Sequence, residues 1–100
     1  MKSIEPAAVS QRAGIHLIDV REEVEFVGGH AQAAVNLPLS TFVERIAEVP
    51  SDETVYIICE SGARSAQAVE WLEGQGYDAV NVLGGTSAWR SAGLPLIVGS

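Results

Sequence analysis

Hydrophobic positions along this chain fall into short continuous runs that alternate with helical spacings. Val55-Tyr56-Ile57-Ile58-Cys59 is the clearest run. A continuous apolar stretch of this kind reads as a strand buried on both faces. Ile15 to Val20, interrupted at His16 and Asp19, and Ala79 to Leu83 read the same way. Ala34 to Leu37 is a shorter candidate strand, ended by Pro38, because the residue before a proline is pushed to extended backbone. Leu39, Phe42, Val43 and Ile46 share one helical face, with Thr41 and Glu44 at capping-box spacing and Pro50 as the stop. Ser65, Ala68, Val69 and Leu72 repeat that face, with Gln67, Glu70 and Glu73 opposite. Shorter helices are predicted after Glu5-Pro6 and closing by Gly14, over residues 21–27, and over Thr86 to Ala92. Glu22, Glu23 and Glu25 suit the N-terminus of the second of these. Gly28-Gly29, Gly74, Gly76, Gly84-Gly85 and Gly93-Leu94-Pro95 punctuate the elements.

Strands alternating with helices predict an α/β fold, a parallel sheet covered by helices on both faces. In such sheets ligands bind beyond the carboxyl ends of the strands. Asp19 and Cys59 both fall at such ends.

One hundred residues predict a single domain spanning 1–100. A hydrophobic share of 47% supplies a core. The net charge of −7, with only six Lys and Arg, argues against nucleic acid and repels small anions at long range. Gly84-Gly85 lacks the spacing of a nucleotide loop. The N-terminus has no apolar core of a secretory signal, and no stretch approaches the roughly 20 apolar residues of a membrane span. The expectation is a soluble, cytoplasmic protein without membrane contact. The single cysteine excludes an internal disulfide and a cysteine-rich zinc site. With two distant histidines, no metal or other cofactor is expected.

That cysteine carries the candidate chemistry. Cys59-Glu60-Ser61-Gly62-Ala63-Arg64 is a six-residue loop between a strand and a helix, continued by Ser65. Its small residues let successive N–H groups point inward as an anion nest. The helix start adds a positive dipole end and Arg64 a cation. Such surroundings lower a thiol from about 8.5 to roughly 3.5–7.5. One reading is a nucleophilic Cys59 with residues 60–65 as its cradle. The other is a core cysteine, since free Cys is among the most buried residue types.

Cys59 to Ser65 resembles the active-site loop of rhodanese domains, the sulfurtransferase family. Asp19-Val20-Arg21, Glu25-Phe26, Gly29-His30, Ala34, Asn36 and Pro38 resemble its N-terminal signature. Gly84-Gly85, Ala88-Trp89 and Ala92-Gly93-Leu94-Pro95 resemble its C-terminal one. The likeness runs in order from about residue 4 to residue 95. Ala31-Gln32-Ala33 stands where the family usually has an Ile-Pro-Gly-like turn, and Glu60 where basic or small residues are common.

The resemblance implies a three-layer fold with a parallel sheet of about five strands. It implies that Cys59 accepts a sulfane sulfur as a persulfide, from thiosulfate or a persulfide donor. With no resolving thiol in the chain, the acceptor is external: a small thiol, cyanide, or a sulfur-accepting protein such as thioredoxin. Two other readings stay open. Tyrosine phosphatases of related fold carry a longer loop than the four residues between Cys59 and Arg64; with arsenate reductases they form the second enzyme reading. The third is a non-catalytic interaction module.

Arg64 either meets the anionic donor or braces the loop by pairing with a carboxylate such as Asp19. Asp19 is a structural partner first, and Arg21 is a rim cation or a plain surface residue. Glu60 either points outward into solvent or faces the thiolate. At about 4 Å it would cost about 1 kcal/mol in water, or about 4 at an effective dielectric of 20. His30 is expected to order a turn, His16 to be structural, and Trp71 and Trp89 to be partly buried packing residues.

Overall fold

The computed structural model describes residues 1–100. Seven strands are formed: β1 (Lys2–Ile4), β2 (His16–Asp19), β3 (His30–Ala31), β4 (Val35–Asn36), β5 (Val55–Ile58), β6 (Ala79–Val82) and β7 (Leu96–Ile97). Four α-helices accompany them: α1 (Pro6–Ser10), α2 (Glu23–Val27), α3 (Ala63–Gly74) and α4 (Gly85–Ser91). Five strands make a wholly parallel sheet in the order β1-β6-β5-β2-β4. The remaining two, β3 and β7, pair antiparallel at the side. The α/β class with a parallel sheet is as the alternation of elements predicts, and the five strands are as the resemblance implies.

Strand β5 lies at the centre, and its side chains alternate between two cores. Val55, Ile57 and Cys59 face a cluster that includes Leu37, Phe42, Val69 and Leu72. Tyr56 and Ile58 face the other, with Val9, Leu17, Val82 and Trp89. This is the twofold alternation of a pleated strand, with both faces buried. Helix α3 covers the first face through Ala68, Val69 and Leu72. Helices α1 and α4 cover the second through Val9 and Trp89. Trp89 is fully buried rather than partly so, and its Nε1–H donates to the Pro95 carbonyl at 2.8 Å. Trp71 is half-buried, its ring nearly perpendicular to that of Phe42.

Three stretches differ from the sequence expectation. Leu39 to Ile46 is not an α-helix but two 3-10 turns, Leu39–Thr41 and Ile46–Glu48. Bonds such as Phe42 N–H to Leu39 and Val49 N–H to Ile46 close the short cycle. The segment is confined between Pro38 and Pro50 and holds Ser40, Thr41 and Val43, which disfavour helix interiors. The apolar stripe docks only in part: Phe42 is buried, with Leu39 and Ile46 against it, while Val43 is 57% exposed. Thr41 makes no capping box; its hydroxyl donates to the Pro38 carbonyl at 3.4 Å. The second difference is β1, whose Lys2 pairs with Asp78 beside β6. The third is the β3–β7 pair, two residues on each side and too short to show a period.

The departure at Ala31-Gln32-Ala33 has a backbone consequence. Ala33 is exposed and holds φ at +74°, the one non-glycine residue in the left-handed region. A side chain there strains the backbone by roughly 1–2 kcal/mol, while glycine gives back about 0.4–1 through the unfolded chain. Ala33→Gly is therefore expected to stabilise the fold by about 0.5–1 kcal/mol. A rise in the urea midpoint at unchanged m-value checks this, and a fall contradicts it.

Candidate active site

Strand β5 delivers Cys59 to the carboxyl edge of the sheet, where it is 1% exposed. The chain then turns through Glu60 and Ser61 to Gly62, which has φ +105° and precedes the first residue of α3. The Gly62 N–H donates to Cys59 Sγ at 3.1 Å, and Ser65 Oγ lies 3.3 Å from it. Burial pushes the Cys59 thiol up. The Ser65 hydroxyl and the backbone N–H groups of Ser65, Gly62 and Ser61 pull it down and prevail, so the net shift is downward.

The loop is held from behind by α4. Thr86 donates its N–H to the Cys59 carbonyl at 2.8 Å and its hydroxyl to the same oxygen at 3.0 Å. Ser87 N–H reaches the Glu60 carbonyl at 3.0 Å. This approach needs Gly85, where a Cβ would stand 2.5 Å from the Cys59 carbonyl oxygen and 2.6 Å from that of Glu60. Gly84-Gly85 is thus more than a turn signal.

Each arginine around the cradle has a carboxylate. Arg64 makes a two-pronged pair with Glu25, at 2.7 and 2.9 Å. Arg64 thus pairs with a carboxylate, as one of its two readings had it, but the partner is Glu25 and not Asp19, which takes Arg21. Nε and a terminal nitrogen of Arg21 reach the Asp19 carboxylate at 2.8–3.1 Å, and the Arg21 backbone N–H joins at 2.9 Å. The expectation that Arg21 is a rim or surface cation gives way as well, since its side chain is 3% exposed. It also donates to the Gly29 carbonyl at 2.8 Å and to Glu60 at 3.1 Å. Glu60 is neither free in solvent nor turned on the thiolate. It is part-exposed, and its carboxylate accepts from Arg21 and, at 3.5 Å, from Arg90.

His30 is buried, stacked on Phe26, with Nδ1 bonded to the Phe26 carbonyl at 2.8 Å. His16 lies 3.2 Å from Glu53. No three His, Cys, Asp or Glu side chains converge on a metal-sized site. No helix is long and apolar enough to cross a membrane.

Sequence reasoning missed three residues at the site: Glu25, Arg90 and Asn81. Glu25 is also the helix-start charge that its position suggests: its carboxylate accepts the Glu22 N–H at 3.2 Å. Asn81 on β6 accepts from the Ser65 hydroxyl at 2.5 Å, and its Nδ2 donates to the Gly62 carbonyl at 3.4 Å. The available signal was its polarity within an otherwise apolar strand.

Residues 6–92 match the model of the rhodanese-like domain family. The chain is 38% identical to a protein of Allochromatium vinosum named sulfurtransferase, over 97% of this chain and 95% of that one. It is 32% identical to the thiosulfate sulfurtransferase GlpE of Vibrio cholerae, over 89% and 85%. Among solved structures, a rhodanese-like domain protein from Staphylococcus aureus superimposes with a TM-score of 0.89 at 35% identity over 100% of both chains. A cysteine cradled between strand and helix on this sheet, with these relatives, places the chain in the rhodanese-like domain family.

The Glu25–Arg64 pair carries a pH signature. Its hydrogen bonds to Arg64 hold the Glu25 carboxyl down at about 2, against about 4.3 for an unperturbed Glu. A depressed carboxyl stabilises the fold above its unfolded value and ceases to do so as pH falls through the folded one. Both partners are about a third exposed, so solvent screening leaves about 1 kcal/mol. Wild-type stability in urea is expected to fall more between pH 5 and pH 2 (roughly, from these pKa values) than that of Glu25→Gln. Parallel curves for the two proteins contradict the pairing.

Proposed function

We propose that this protein is a sulfurtransferase, a single rhodanese-like domain over residues 1–100. In it Cys59 carries sulfane sulfur from thiosulfate or a persulfide donor to an external thiol, cyanide or a sulfur-accepting protein such as thioredoxin. The observation that supports it most is the convergence of the Gly62 N–H and the Ser65 hydroxyl on Cys59 Sγ at 3.1 and 3.3 Å. The relatives named sulfurtransferase and thiosulfate sulfurtransferase support the same reading.

The Cys59 thiolate attacks the outer sulfur of thiosulfate. A new S–S bond forms, the old one breaks, and its electron pair leaves on sulfite. The weakly basic leaving group needs no general acid. The N–H groups of Ser61, Gly62 and Ser65 beside Sγ hold the charge on the outer sulfur of the persulfide. That sulfur lies about 2 Å beyond Sγ, where an acceptor thiolate takes it and regenerates the Cys59 thiolate. Because Cys59 is the only cysteine, the two halves are separate encounters and the kinetics are ping-pong. A reducing compartment such as the cytoplasm keeps the thiol free.

Mass spectrometry after thiosulfate treatment tests this. The wild type is expected to gain one sulfur and Cys59→Ser none. No adduct, with phosphate released from an aryl phosphate, overturns it in favour of a phosphatase. Neither result leaves an interaction module.

Glu60 sets a second expectation. Its carboxylate neutralises Arg21 and Arg90 beside the cradle. Removing it in Glu60→Ala is worth about 1 kcal/mol to an arriving dianion, about fivefold in kcat/KM for thiosulfate. The gain is expected in KM and should shrink in roughly 1 M salt, where screening is short-ranged. Unchanged kinetics at low salt contradict it.

A further inference from the structure

Strand β6 is buried along its length, yet it carries Asn81 toward the α3 side of the sheet, level with Ile57 of β5. A polar side chain 5% exposed in that position needs partners. It has two, and both adjoin the sulfur. Nδ2 faces the Gly62 carbonyl, which fixes the amide, since a flip would set oxygen against oxygen. Oδ1 faces the Ser65 hydroxyl at 2.5 Å. The oxygen has no hydrogen, so Ser65 is the donor.

A serine hydroxyl has one proton. While Asn81 holds it, only lone pairs face Cys59 Sγ, 3.3 Å away. That arrangement accepts the S–H of a thiol and repels a thiolate. To stabilise a thiolate the hydroxyl must turn to the sulfur, and Asn81 Oδ1 is then left buried with no donor. An unmet buried acceptor is expensive. After sulfur uptake the charge moves to the outer sulfur, Sγ no longer claims the proton, and the hydroxyl returns to Asn81.

We propose that Asn81 is a positioning residue that competes with Cys59 Sγ for the single hydroxyl proton of Ser65, so that the reactive thiolate is the one state in which the Ser65–Asn81 bond is broken. The inference rests on Cys59 as the nucleophile. Asn81 raises the free energy of the thiolate while sparing the thiol before it and the persulfide after it. A less stabilised thiolate is a stronger nucleophile. The other charged groups around the sulfur are Asp19 at the end of β2 and Arg21 just beyond it, Glu25 on α2, Glu60 in the loop, Arg64 on α3 and Arg90 on α4. They pair with one another, and none hydrogen-bonds to Ser65 or Asn81.

The test compares wild type, Asn81→Leu, Ser65→Ala and the double variant by thiolate ultraviolet absorbance and by iodoacetamide alkylation across pH. Leucine keeps the branched shape and removes the acceptor. In Asn81→Leu the thiol midpoint is expected to fall by about half to one pH unit. Alkylation is expected to be about twofold faster on the acid limb and about twofold slower on the alkaline plateau, so the two profiles cross. In the Ser65→Ala background the Asn81→Leu change should vanish. An unmoved midpoint, or the same shift without Ser65, overturns the proposal. If Asn81→Leu does not fold, Asn81→Asp decides: an acceptor with added charge must move the midpoint up, and any other result overturns the proposal. Neither readout uses a sulfur donor, so failure of the sulfurtransferase reading is separately visible in the mass measurement.

Discussion

The buried pair between Asp19 and Arg21 is the constraint on which the site is built. Asp19 is fully buried and the Arg21 side chain nearly so. Charges removed from water must be fully paired and hydrogen-bonded, or the fold loses several kcal/mol. Asp19 satisfies this through the backbone and side chain of a residue two positions away on its own strand end. Arg21 completes it by reaching the Gly29 carbonyl and Glu60. Asn36 adds to the same corner, since its Nδ2 donates to the carbonyls of both Asp19 and Arg21. The end of β2, the turn into β3, the edge strand β4 and the outer wall of the Cys59 loop are therefore tied together through one pair of charges.

This pairing decides what kind of electrostatics reaches the sulfur. Arg21, Arg64 and Arg90 all stand near the cradle, and all face carboxylates: Asp19 and Glu60, Glu25, and Glu60 again. Their fields cancel at a distance within a chain of net charge −7. What acts on Cys59 is short-ranged: the N–H of Gly62, the start of α3 and the hydroxyl of Ser65. Selectivity in such a site comes from hydrogen-bond direction, with long-range attraction contributing little.

How much was legible in the sequence follows from which signals are local. The central strand and its loop were legible because a continuous apolar run followed by Gly, Ala and Ser has few other meanings. The α3 face was equally plain. The Leu39–Ile46 stripe had the right period, but two prolines and poor helix formers made the backbone wind as 3-10 turns, which bury Phe42 with Leu39 and Ile46 against it and leave Val43 exposed. The edge elements β1, β3 and β7 exist only through their partners and carry no pattern of their own. The pairing of Arg64 with Glu25 spans 39 positions, and nothing near either residue prefers it over Asp19. Asn81 was passed over because one polar residue does not disturb an apolar run, although burial makes it the residue most in need of explanation.

Gly85 sets a limit on what this scaffold can become. Its α-carbon side rests against the carbonyls of Cys59 and Glu60, with no room for a methyl group, and Thr86 and Ser87 bond those same carbonyls. The back of the loop is pressed against the first turn of a helix that is anchored in turn by buried Trp89. A longer loop could not bulge backward without lifting α4, which buried Trp89 anchors. Steric contact behind the sulfur thus closes one direction only: added loop residues would have to swell toward solvent, over the mouth of the cradle, and not toward α4.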